Sequence, residues 1–124
     1  MSKRLPHANT EIDVTLKRGR EAFTRHFNDF MAEATSTQLI NWTEKVCGKR
    51  YIHSSFIQNL KAGLIKDPNH AALMALGAVN EAAHEQETPF HPIYASSGNC
   101  ITAETMHQAF CGLIVLHENE NLDA

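Results

Sequence analysis

Ser54-Ser55-Phe56-Ile57-Gln58-Asn59-Leu60-Lys61-Ala62-Gly63 (SSFIQNLKAG, residues 54–63) decides how this 124-residue chain is read. Ile57 and Leu60 stand three apart, the spacing that places two side chains on one side of a helix. Ser54, Ser55, Gln58, Asn59 and Lys61 are left on the outside. Ser54 suits an N-cap or a first helical turn. Gly63 is the residue type that most readily stops a helix in a left-handed conformation. The spacing predicts a short helix over residues 54–62, held from beneath by two aliphatics and presenting amides and hydroxyls outward.

Outward from this segment the pattern stays helical. Asp67-Pro68-Asn69 is a helix start signal, followed by a helix over 70–85 with Leu73, Leu76, Val79 and Ala83 inward. Upstream, Ser36 or Thr37 caps a helix with Leu39, Ile40, Trp42 and Val46 as its buried positions, and Gly48 ends it. Residues 48–53 read as a turn. From 11 to 34, Ile12, Leu16, Phe23, Phe27, Phe30 and Met31 form one apolar stripe, with a break near Gly19. Residues 88–99 (TPFHPIYASSGN) hold two prolines and a glycine and predict a loop. Thr102, with Glu104 close by, starts a last helix to about His117. Its segment 109–116 (AFCGLIVL) is apolar on nearly every face, which predicts burial in its own core or against another subunit. No strand-like alternation persists.

The expected architecture is therefore one all-α domain, 1–124, of about five helices. Residues 1–10 are a flexible arm, 11–86 a helical core, 87–101 a loop and 102–124 a C-terminal helical segment. A short helix with a polar outer row, a glycine stop and a proline-started helix behind it is the back half of a helix-turn-helix, whose short helix lies in the DNA major groove.

On Ile57, Leu60, Gly63 and Pro68, and on the rhythm Leu73, Leu76, Val79, the chain resembles the lambda-repressor/Cro (XRE) helix-turn-helix family. Trp42 to Val46 resemble the end of that family's first motif helix, with Thr43 where a small alanine is usual. The resemblance spans roughly residues 20–80, and its second half is the specific part. The segment Cys47–His53 is longer than the family's turn, and in this it is similar to EspR-type actinobacterial regulators. The resemblance implies a transcriptional regulator that binds double-stranded DNA as a homodimer. Ser54, Ser55, Gln58 and Asn59 would face base edges, where Gln and Asn amides suit adenine. Lys49, Arg50, Lys61 and Lys66 would hold phosphates. Phe110, Leu113, Ile114 and Leu116 would form the dimer interface.

Charge distribution agrees with that expectation. The chain carries −3 overall, yet residues 1–44 are net neutral, residues 45–66 hold five Lys/Arg and no acid, and residues 67–124 hold eight acids and no Lys or Arg. Local phosphate neutralisation governs non-specific DNA affinity, so the basic middle outweighs the global sum. The acidic C-terminal half motivates a rival expectation, a small protein-binding inhibitor or adaptor without DNA. The 43% hydrophobic and 20% charged composition does not fit a disordered chain. No apolar run approaches a membrane span, and the start MSKRLPHANT lacks the apolar stretch of a secretory signal. Three cysteines, Cys47, Cys100 and Cys111, do not form a disulfide framework, which points to a reducing cytoplasm.

Neither a metal nor a cofactor is expected. His107 and Cys111 stand four apart, with Cys100, His91 and His117 around them. Finger, CxxC and HExxH spacings are missing. Cys47 near His53 has a basic neighbourhood, but no oxyanion site or orienting carboxylate accompanies it, so no catalysis is expected.

Overall fold

The computed structural model describes residues 20–65 and 68–118. Within them the protein is all-α, with five helices: α1, residues 20–30; α2, Ser36–Cys47; α3, Ser54–Lys61; α4, His70–Glu85; and α5, Met106–Phe110. The arm 1–10, the start of the first predicted helix and Lys66 lie outside the described residues. No described helix is long and apolar enough to cross a membrane.

Local chemistry sets the ends of these helices. Thr35, one residue earlier than predicted, caps α2 through a reciprocal box. Its Oγ1 accepts from Gln38 N (3.1 Å), and its own N–H donates to Gln38 Oε1 (2.8 Å). Gly48 closes α2 in the left-handed region, φ 81°, with its N–H on Glu44 O. Asn69 caps α4 through Ala72 N.

The core is continuous. Phe23, Phe27 and Phe30 of α1, Leu39 of α2, Ile57 and Leu60 of α3, and Leu73, Leu76 and Val79 of α4 are all essentially fully buried. α2 packs on α4 and on α3, and α4 packs on α5. The loop predicted around 88–99 is irregular, yet it also supplies core. Phe90 stacks on Phe30 at 4.9 Å between ring centroids, and Phe110 meets Phe23 edge-on at 5.3 Å. Ile93, Ala95 and Ile101 are buried with them.

Three neighbouring groups of α4 hold this C-terminal segment. Asn80, fully buried, donates through Nδ2 to Ile93 O (2.9 Å) and Ile101 O (2.8 Å), and its Oδ1 accepts from Ile93 N (2.7 Å). Glu81 Oε2 accepts from Ala103 N (2.8 Å). Gly77 lets the chain pass directly over the helix, because a Cβ there would lie 2.5 Å from Ala103 Cα and from Thr102 O.

The last helix departs from the prediction. Thr102 does not start it. Instead Thr102 N donates to Thr105 Oγ1 (2.8 Å) in a preceding turn, and α5 runs only from Met106 to Phe110. Gly112, φ 83°, turns the chain out of the helix. The chain then bends through Leu113 and Ile114, and an isolated bridge pairs Leu116 with Ala95. The apolar run 109–116 is thus divided. Ala109, Phe110 and Leu116 are buried, Ile114 is half-buried, and Leu113 and Val115 are 69% and 72% exposed.

Candidate nucleic-acid interface

Helix α3 stands between two turns that differ in character. Before it, Gly48 to His53 make the long connection from α2. Ile52 is fully buried, which pins the connection to the core and leaves Lys49 and Arg50 exposed at its outer edge. His53, in extended conformation (φ −114°, ψ 163°), delivers the chain into α3 without a side-chain cap bond. After α3, Gly63 takes φ 72° against Thr24 of α1, whose Oγ1 would lie 3.3 Å from a Cβ at Gly63. Asn28 of α1 reinforces this end, because its Nδ2 donates to Lys61 O (3.0 Å) and to Thr24 O (2.8 Å). The short helix is therefore fixed at both ends by contacts its own eight residues do not supply.

Ile57 and Leu60 face inward at 0% and 1% exposure. Ser54, Ser55, Gln58 and Asn59 are exposed, and Lys61 is half-buried. Residues four apart share a helix face, so 54/58 and 55/59 form two adjacent pairs and together one polar surface. Thr43 of α2, the departure from alanine, is fully buried; its Oγ1 donates to Leu39 O (2.8 Å), so its one polar atom is satisfied within the helix.

The cations nearby are each placed by a neighbour. Lys45 Nζ sits 4.4 Å from the centroid of the Trp42 ring. Lys49 Nζ lies 6.0 Å from that of Tyr51, the outer limit for attraction to the ring face. Arg50 Nε donates to Glu44 Oε1 at 3.1 Å.

Of the residues expected at a dimer interface, Phe110 and Leu116 are packed into the chain's own core and Ile114 lies against it. Of the two burials expected for this segment, its own core or another subunit, these three residues take the first. A helix that ends at Phe110 cannot carry residues 110, 113, 114 and 116 on one face. Leu113 keeps an open side chain, joined by Val115, which periodicity had not singled out.

Elsewhere, a cavity of about 290 Å³ opens between Cys47, Tyr51 and Met74, beside alanines of α4. Burial pushes the Cys47 thiol above its ordinary pKa, the direction that keeps sulfur protonated and unreactive. A second cavity, about 200 Å³, is lined by His26, Asp29, His91, Tyr94 and His117. His107 stacks on His70 at 5.0 Å, with Cys111 Sγ 3.9 Å from its Nδ1. Among the described residues, no group of three or more His, Cys, Asp or Glu is arranged to hold a metal ion. No family model, no curated protein and no solved structure matches the chain.

Proposed function

We propose that the protein is a sequence-specific, DNA-binding transcriptional regulator of the lambda-repressor/Cro kind. In this reading it acts in the cytoplasm as a homodimer through α2, the long turn and α3. The observation that carries the reading is α3 itself: a short helix anchored by Ile57 and Leu60, with Ser54, Ser55, Gln58 and Asn59 exposed and Lys49 and Arg50 exposed on the turn before it. Such a helix, set into a major groove, meets base edges along its outer row, while flanking cations meet phosphates. Gln58 and Asn59 pair best with adenine N6 and N7. Lys61 and Lys66 are assigned to the backbone. No catalytic step and no cofactor enters.

Retention on duplex DNA tests the reading. The wild-type chain is expected to bind at low salt and to release steeply as salt rises. The double variant Lys49→Ala/Arg50→Ala should bind more weakly, with the slope of log affinity against log salt shallower by about one to two, one unit for each lost contact that releases a counterion. Gln58→Ala/Asn59→Ala should instead flatten discrimination between sites, by about 1–3 kcal/mol for each lost bidentate pair, with little change in salt slope. No retention at low salt would turn the assignment toward the rival, a helical adaptor or inhibitor whose acidic half meets a basic protein. All the Lys/Arg/Asp/Glu positions described beyond Pro68 are acids, Glu81, Glu85, Glu87, Glu104 and Glu118.

For the homodimer, the exposed Leu113 and Val115 support a contact between copies, since large apolar side chains left in water favour association. Leu113→Glu places charge there without touching the core. It should shift a dimer to a folded monomer in sedimentation. An unchanged mass would remove this segment from the interface.

A further inference from the structure

The cations of the basic middle are not held alike. Lys45 and Lys49 lie near neutral rings, Trp42 and Tyr51, which leave their charge intact. Arg50 alone among the described cations of residues 45–65 is paired with a carboxylate, that of Glu44. The same residue anchors the turn twice, since Gly48 N donates to Glu44 O (2.8 Å) while Arg50 Nε reaches back to Glu44 Oε1. The left-handed Gly48 makes this return possible. It reverses the chain so that a residue two positions on lies against the last turn of α2. Both side chains are more than half exposed, 58% for Arg50 and 51% for Glu44, so the pair is screened by water and opens readily.

Building on the regulator reading, we propose that Glu44 gates Arg50: its carboxylate holds the guanidinium at the protein surface and competes for it with a DNA phosphate. Binding exchanges one anion for another at Arg50 and leaves Glu44 unpaired beside the duplex. The exchange gains little net energy, and fewer counterions are released than the four cations would suggest. Glu44 is thus a positioning residue that sets resting affinity low, while Lys45 and Lys49 remain available for non-specific attraction.

The test is a double-mutant cycle on mixed-sequence duplex DNA, using the full chain, with Glu44→Gln, Arg50→Ala and both together. Glutamine keeps the length and one acceptor oxygen and puts a neutral amide in place of the carboxylate. E44Q is expected to tighten binding roughly two- to fivefold, the range spanned by an exposed ion pair, and to steepen the salt slope by about one. In the Arg50→Ala background the same change should tighten binding clearly less, because only the general repulsion of the carboxylate is then removed. Equal tightening in both backgrounds would mean that Glu44 repels DNA simply as a charge, and would overturn the gate, as would an E44Q chain indistinguishable from wild type. Failure of the wild-type chain to bind at low salt would overturn the regulator reading and the gate together.

Discussion

Asn80→Ala is expected to destabilise the protein by roughly 2–4 kcal/mol. The N–H of Ile93 loses its partner outright and the C=O of Ile101 keeps only the weak Cys100 thiol at 3.5 Å, while the C=O of Ile93 still accepts from Ile101 N; each buried unsatisfied group costs about 1–3 kcal/mol. Relaxation and water entry reduce the sum, hence the lower figure. The effect is large against a total of about 5–15 kcal/mol for a domain of this kind. Aspartate should do no better, since it would turn a donor into a charged acceptor facing two carbonyls. Urea unfolding monitored by circular dichroism checks this. A midpoint within error of wild type would mean that Asn80 does not hold the 93–101 segment.

Gly77→Ala is the second large effect, and its sign is the informative part. In a helix interior that faces open space, alanine in place of glycine gains about 1 kcal/mol. Here the new methyl would meet main chain, Ala103 Cα and N and Thr102 O, all at 2.5–2.6 Å, and backbone cannot move aside as a side-chain tip can. The segment must lift from α4, at a cost of about 1–3 kcal/mol for overpacking, and the lift should weaken the Glu81–Ala103 contact with it. The expected result is a lower thermal midpoint accompanied by faster amide exchange around Ala103. A midpoint above wild type would show that the chain does not cross α4 at this point.

Much of the helical frame was legible because it depends on local periodicity. Ile57 with Leu60, and Leu73 with Leu76 and Val79, define their inward faces by spacing alone, and Gly48 and Asn69 mark ends by their own chemistry. Thr35 was missed by one position because three consecutive residues, Thr35, Ser36 and Thr37, are all competent caps; the Gln38 side chain selects among them. The C-terminal third was harder for a different reason. An unbroken apolar run at 109–116 resembles a buried helix, but Gly112 and the demand for Leu116 opposite Ala95 divide it. Asn80 gave no sign in a sequence of alanines and leucines, since a lone amide in a helix is as easily solvated as buried, and its partners lie 13 and 21 residues away. Ile52 was similarly hidden as a single aliphatic in a polar turn. In the candidate interface, the outward row of α3 followed from spacing. The pairing of Arg50 with Glu44 did not, because it requires the return of the chain at Gly48.

The aromatic contacts of α1 have a consequence for the order in which the molecule is made. Phe23 and Phe30 receive Phe110 and Phe90, and Arg25 reaches Glu118 across 93 residues of sequence. A ribosome releases α1 well before its ring partners, at about 5–20 residues per second. For the seconds between, the apolar face of α1 has only α2 to α4 to cover it, and its last contacts wait for the tail to emerge. The fold thus waits for residues 90 to 118 to be made, and a nascent chain stalled before residue 90 would carry α3 on a scaffold still missing its aromatic seal.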